Sequence, residues 1–303
     1  MKAFAIADFT TKPNSRGELT IMKTGLVLEG GAMRATYTIG VLDVLMENNI
    51  KFDGIIGVSA GAIHGASYVS HQPGRNIRYY KKYASDKRFM SKRNLIFTGD
   101  LFSKDFCYNE LPWKLDIFDN DTFKNSDTEF YAVSANVETG ESEYIRINDL
   151  KNHDQMEYLR ASASMPLVSR IVEVDGKKLL DGGITDSIPL RKFQEMGFEK
   201  NVVVATRTDS YVKMQEQVSI SSLVYKKYPY FVEALKRRPK MYNDEKEYIL
   251  EQEKKGTVFF IRPHEELDIS RTDTNPEHLE KIYQVGRRDA EAVIDKLKAW
   301  LEG

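Results

Sequence analysis

The sequence predicts an α/β protein with a mainly parallel central sheet flanked by helices, on two strand-to-helix units and a set of later alternating segments. TGLVLEGG (Thr24–Gly31) is a short apolar run stopped by glycines, which reads as a buried strand. MRATYTIGVLDVLMENN follows, with Ile39, Leu42, Leu45 and Met46 at helical spacing and Asn48–Asn49 ending it. FDGIIGVS and then AGAIHGASYVS repeat the pattern. Adjacent parallel strands need a helical crossover of this kind, so the two units place their strands side by side.

The remaining elements follow in chain order. Residues 72–127 are polar, aromatic-rich and less periodic, and RNIRYYKKYASDKRF predicts a surface helix within them. This stretch reads as an insertion, with a lid and a plain elaborating subdomain both left open. EFYAVSANV and SEYIRIN alternate as strands around ETGE, and IVEVDGKKLLDGG carries Asp175–Gly176, a two-residue hairpin signal. NVVVATR (Asn201–Arg207) and GTVFFIRP (Gly256–Pro263) are further β runs. The last segment is amphipathic, with Leu279, Ile282, Val285, Val293, Ile294 and Leu297 on one face.

Composition narrows the function classes. With 41% hydrophobic and 29% charged residues, 303 residues can build an ordinary core without staples. A net charge of −1 gives no global drive toward nucleic acid, which is not expected as a partner. The single cysteine, Cys107, leaves no internal disulfide and no cysteine-only metal cluster. MKAFAIADFTTKPN is too short an apolar run for a signal peptide, and no stretch reaches the ~20 apolar residues of a membrane span. The expectation is a soluble, cytoplasmic protein, allowed a peripheral membrane contact.

Three short motifs carry chemistry. Gly57–Val58–Ser59–Ala60–Gly61 has the G-x-S-x-G form at a predicted strand-to-helix corner. Glycines on both sides permit a sharp turn that projects the hydroxyl, and the following helix N-terminus favours developing negative charge. A serine capping a closely packed helix would look the same. Asp181 ends the strand GKKLLD, where Gly182 and Gly183 permit an abrupt turn that can aim a carboxylate into a cleft. A simple turn after a hairpin also fits. In EGGAMR, the N–H groups of Gly30, Gly31 and Ala32 can bind an oxyanion, with Arg34 adding charge. Close strand–helix packing fits equally well. A dinucleotide loop fails because positions 32 and 35 are alanine. Among the histidines, His64 lies five residues beyond Ser59 on the predicted helix and points away. His264 and His278 follow Asp181, in the Ser–Asp–His order of α/β-hydrolases.

The three motifs in this order resemble the patatin-like phospholipase family, known for a Ser–Asp dyad without histidine. GLVLEGGAMRATYTIGVLDVL is similar to its oxyanion block, GIIGVSAGAIHGA to its nucleophile block and DGGITDSIP to its aspartate block. RASASMP (Arg160–Pro166) is similar to its Ala-Ser-x-x-x-Pro segment. The resemblance implies a three-layer patatin-like core over residues 24–206, interrupted at about 72–127, with an α-rich extension over 207–303 that includes strand 256–263. It implies Ser59 as nucleophile, Asp181 as proton acceptor, Gly30, Gly31, Ala32 and Arg34 at the oxyanion hole, and neither cofactor nor metal. Ala32 and Ala35 replace family glycines, and Ser187 replaces an asparagine. The implied activity is hydrolysis of carboxylic esters of lipids through an acyl-enzyme. A His-containing esterase and a non-catalytic lipid-binding protein with a disabled site remain as alternatives. YKKYPYFVEALKRRPK (Tyr225–Lys240), where basic and aromatic residues interleave, reads either as a lipid-surface contact or as a solvated helix after Pro229.

Overall fold

The computed structural model describes residues 11–13, 19–215 and 217–303; the first ten residues of the N-terminal segment discussed above lie outside them. A small ladder pairs β1 (Thr11–Pro13) with β2 (Leu19–Ile21). The main sheet contains β3 (Lys23–Leu28), β4 (Gly54–Val58), β5 (Glu129–Asn136), β6 (Ser142–Arg146), β7 (Val172–Val174), β8 (Lys177–Asp181), β9 (Phe198–Val204) and β10 (Val258–Ile261). Its order is β10-β9-β3-β4-β5-β8-β7, with β6 paired to β5. The first five are mutually parallel, whereas β6 and β8 run antiparallel to β5.

Alternation of side chains along the buried strands divides the core into two faces. Leu26, Leu28, Ile55, Phe130, Val202 and Val204 face one cluster, built with α1 (Thr36–Glu47), α2 (Ala60–Val69), α6 (His153–Ser162) and α10 (Pro276–Glu302). Val27, Ile56, Val133 and Val203 face the other, built with α7 (Leu190–Glu195) and α9 (Pro229–Lys254). The result is a three-layer α/β architecture. The C-terminal helix seats tightly because two glycines meet: a Cβ at Gly286 would lie 2.0 Å from the Tyr37 carbonyl oxygen, and one at Gly40 would lie 2.2 Å from that of Tyr283.

The helix expected within residues 72–127 forms with one exposed face and one buried face. Helix α3 (Arg75–Tyr83) buries Ile77, Tyr79, Tyr80 and Tyr83 in a third cluster with Phe89, Phe106 and Leu111. Arg78, Lys81 and Lys82 are exposed on the opposite face while Arg75 is buried over the Tyr79 ring, so the polar composition concealed an aromatic stripe. The rest of the insertion consists of α4 (Lys92–Thr98), a π-helix (Asp105–Leu115) and α5 (Asn120–Lys124). Helix α8 (Ser219–Val224) precedes α9.

The decisive feature lies along one edge of β5. Strand β4 occupies that edge from Glu129 to Val133, where Val58 stands opposite Val133. At the next residue β8 takes over from the other direction, with Asp181 opposite Ser134. Both strands therefore end at neighbouring positions of β5, pointing at each other. Their next backbone groups, Ser59 and Asp181 itself, meet tip to tip although 122 residues separate them in the chain.

Candidate active site

Ser59 adopts φ +56° and ψ −126°, a conformation costly for a residue with a Cβ, and thus stands proud of the corner between β4 and α2. The two elbow glycines are required by close approach. A Cβ at Gly57 would lie 2.6 Å from the Ala62 nitrogen, and one at Gly61 would lie 2.5 Å from the Leu28 carbonyl oxygen. The Ser59 N–H donates to Ser162 Oγ at 2.9 Å. Its side chain lies close enough to the Asp181 carboxylate to favour the ionised form of that group.

Asp181 is held from both sides. Its N–H donates to the Ser164 carbonyl at 2.8 Å, and its Oδ1 accepts the Gly183 N–H at 2.8 Å. Ser162 and Ser164 thus let one short segment position both Ser59 and Asp181. Burial pushes the Asp181 carboxyl pKa above the ordinary carboxylate value. The Ser59 side chain, the hydrogen bond from Gly183 and the fields of Arg238 and Arg271 oppose that shift without cancelling it. A carboxylate so placed is a stronger base toward a hydroxyl than one in water.

The glycine turn after β3 runs beside the elbow, with Gly30 so close that a Cβ there would lie 2.8 Å from Ser59 Cβ. The Arg34 N–H turns back onto the Gly31 carbonyl at 3.1 Å, and the Met33 N–H points to the Arg271 carbonyl at 3.5 Å. The N–H groups of Gly30 and Gly31 lie just before that short 3₁₀ turn (Ala32–Ala35), and that of Ala32 lies at its first residue. Ala32 takes φ +49°, so it accepts the left-handed conformation that glycine would take without cost. Glu29 anchors the turn: its carboxylate accepts the Thr206 N–H at 2.5 Å and the Tyr242 hydroxyl at 2.9 Å. Arg34 is buried with its Nε unpartnered. Burial lowers its pKa from the ordinary guanidinium value; Arg207 and Arg271 push the same way, and Glu29 opposes them.

Helix α9 supplies supports for which the local sequence carried no motif. Arg238 Nε donates to the Gly183 carbonyl at 2.6 Å, and Glu245 accepts the N–H groups of Ser187 and Ile188 at 3.2 and 3.0 Å. Ser187, at the family's asparagine position, donates its hydroxyl to the Gly183 carbonyl at 2.9 Å. The segment Tyr225–Lys240 therefore buries Phe231, Val232 and Leu235 against the end of β8, and is not simply a solvated helix.

Two cavities meet at Ser59, sharing Ala32, Ser59 and Met165 in their walls. One is apolar and walled by Ile63, Tyr80, Phe89, Phe102, Leu111 and Leu159, among others. The other is polar and contains Asp181 with Arg34, Arg207, Arg238 and Arg271. Among the described residues, no histidine lines either cavity. His64 is buried beside the Tyr80 hydroxyl, 3.3 Å away, and burial drops its pKa to about 3. His278 Nδ1 pairs with Asp273 at 2.7 Å, and His264 lies in a separate surface depression. No group of three potential metal ligands occurs among the described residues.

The family model described as patatin-like phospholipase matches residues 26–193, and a domain of unknown function (DUF6363) matches 228–302. The uncharacterized protein YjjU of Escherichia coli is 25% identical over 93% of this chain and 78% of its own length. The lysophospholipase nte1 of Aspergillus niger is 26% identical over 57% of this chain, which spans only 11% of that protein. A Cryptococcus neoformans lysophospholipase NTE1 is 28% identical over 59% of this chain, again with 11% of its own length covered. VipD from Legionella pneumophila superposes with a TM-score of 0.45 at 13% identity, over 97% of this chain and 71% of that one. With the family model spanning more than half of it, the chain belongs to the patatin-like phospholipase family, and so to the enzymes that hydrolyse ester bonds of lipids.

Proposed function

We propose that this protein is a serine acyl hydrolase that cleaves a carboxylic ester of a lipid, with Ser59 as nucleophile and Asp181 as its base. The observation that carries the reading is the tip-to-tip meeting of Ser59 and Asp181 where an apolar and a polar cavity join. Ser59 Oγ forms a bond to the ester carbonyl carbon while its proton passes to Asp181. The oxyanion is received by the N–H groups of Gly30, Gly31 and Ala32, each such donor contributing on the order of 10²–10³ in rate. Collapse breaks the carbon–oxygen bond of the alcohol, which takes the proton from Asp181. Water then attacks the acyl-enzyme by the same route and releases the fatty acid.

The catalytic unit in this reading is residues 24–206, and 207–303 contributes the helix arm over the polar cavity. A triad through His264 or His278 is not supported, since neither lines the cavities at Ser59. The exposed Ile96, Phe97, Leu167, Ile220, Leu223 and Val224 support transient docking on a lipid surface. The segments beside them are tied together: Leu101 N–H bonds the Val168 carbonyl, and the Leu167 N–H bonds the Tyr225 hydroxyl just beyond α8. The lone cysteine fits a reducing, cytoplasmic setting.

A fluorophosphonate probe tests the nucleophile. Labelling of folded wild-type protein that disappears in Ser59→Ala is the expected result, and no labelling of folded wild-type protein overturns the hydrolase.

A further inference from the structure

More cationic than anionic side chains line the polar cavity: Arg34, Arg207, Lys213, Arg238 and Arg271 against Glu29 and Asp181. Arg207 and Arg271 both act electrostatically on Arg34, and Glu29 opposes them. The Glu29 carboxylate is already taken by Thr206 and Tyr242. Arg34 is 7% exposed, and its Nε has no acceptor; the Nε of Arg207 also has none, although its Nη1 meets Glu266 at 2.8 Å. Both residues line the cavity. Buried donors without acceptors are costly, and an array of guanidinium forks is suited to a multiply charged oxyanion.

The same walls disfavour a quaternary ammonium group. Such a group needs open aromatic faces. The two tyrosine rings lining the cavity already face cations, with Arg207 4.3 Å from the Tyr211 ring centre and Lys213 5.7 Å from that of Tyr242. The apolar cavity that shares Ser59 is lined on one side by Ala60, Ile63, Ala66 and Ser67 of α2 and offers an apolar site for an acyl chain.

Resting on the acyl-hydrolase reading, we propose that the substrate is a single-chain lipid with a phosphate-terminated head group, a monoacyl glycerophosphate, read by Arg207 and Arg271 beside Arg34. The phosphate oxygens accept from the guanidinium groups, the ester carbonyl lies at Ser59, and the acyl chain enters the apolar cavity. Arg271 is exposed, and only its backbone carbonyl supports the glycine turn, so its side chain can be changed without altering that support.

The test compares three monoacylglycerol lipids of one chain length, below micelle-forming concentrations, that differ only in bearing a phosphate, a phosphocholine or a free hydroxyl. The acyl ester of the phosphate-bearing lipid is expected to be cleaved with a kcat/KM roughly tenfold or more above those of the other two, the scale of one charge-assisted hydrogen bond. Arg271→Gln and Arg207→Gln should each bring that ratio toward one, and Arg288→Gln on the exposed face of α10 should leave it unmoved. Added salt should lower the wild-type ratio. Glycerol phosphate should inhibit cleavage better than glycerophosphocholine; inhibition by inorganic phosphate with no preference among the three lipids would make the cavity a free-phosphate site and overturn the proposal. Equal rates on all three lipids, with intact fluorophosphonate labelling, overturn the head-group assignment alone. Binding is measured separately in Ser59→Ala protein: it should favour the phosphate lipid by a similar factor, and equal binding of all three counts against the proposal whether or not the wild type hydrolyses esters.

Discussion

The two cavities at Ser59 are built from different kinds of chain. The apolar one is walled largely by the insertion, whose aromatic residues lie between α2 and α6 in sequence, together with the cavity-facing side of α2. The polar one is walled by strand ends, by the segment after β9, by α9 and by Arg271. One wall belongs to an aromatic cluster centred on the insertion and closed by Met33, Ile39, Leu279 and Tyr283, and the other gathers charged groups from opposite ends of the chain. On the proposed function an amphiphile is divided at the serine, and chain selection and head-group selection would rest on separate residues. That separation is open to direct attack by mutation.

Asp181 sits on the polar side of the junction, and changing it has the largest expected effect. Asp181→Asn should lower kcat/KM by about 10²–10⁴, the usual contribution of a general base. The same substitution should stabilise the fold at neutral pH. A carboxyl whose folded pKa is raised lends stability below the ordinary carboxylate value, and this is lost as pH rises through the raised value. Asparagine cannot ionise, so the gain in melting temperature should be present near about pH 8 and vanish near about pH 4. Catalysis needs the ionised form, so the acid limb of the wild-type pH–rate profile should lie above the ordinary aspartate range. An acid limb at the ordinary value, with no stability gain in Asp181→Asn, would remove Asp181 from the role of buried base.

The apolar side is tested through α2. Ser59, Ile63 and Ala66 line that cavity, and Ala66 lies about 10 Å beyond Ser59 at 1.5 Å per residue. Ala66→Leu should obstruct its deep end and shift the ratio of long-chain to short-chain ester cleavage by about tenfold, within the range for altered apolar fit. The preference between phosphate and hydroxyl head groups should stay where it was. If chain and head-group preferences move together, the cavities are coupled and their division at Ser59 is not the basis of selection.

The two regions also differed in how far the sequence exposed them. The strand–turn–helix at Gly57–Gly61, the hairpin at Asp175–Gly176 and the DGG turn are local, because a few adjacent residues satisfy their backbone demands. The positions of Ser59, Asp181 and the glycine turn were legible for that reason. Arg238, Tyr242 and Glu245 were not, because each acts on backbone or carboxylate groups 55 to 213 residues away, and RASASMP marked the segment of Ser162 without its bond to the Ser59 N–H. The insertion was obscured differently: a π-helix containing Pro112 breaks the 3.6-residue spacing, so its inward aromatics show no clean stripe. The change of direction at β5, which brings the two strand tips together, depends on pairing register, and register has no signature within β8 alone.

The smallest expected effect concerns Ala32, which lies in the walls of both cavities. Its φ of +49° places a Cβ where the backbone tolerates one poorly, at a cost on the order of 1–2 kcal/mol for an L-residue. Glycine removes that cost but loses more entropy on folding, so Ala32→Gly should stabilise the protein by about 1 kcal/mol or less. Its N–H remains, so the oxyanion donor is retained. Turnover should therefore change by less than the loss caused by removing a donor, and the melting temperature should rise by a few degrees at most. A large gain in kcat without a change in stability would mean that alanine displaces the oxyanion N–H groups. A loss of stability would mean that the methyl group packs at the junction more favourably than its backbone strain costs. Either result changes how the two cavities are joined, since Ala32 is one of three residues they have in common.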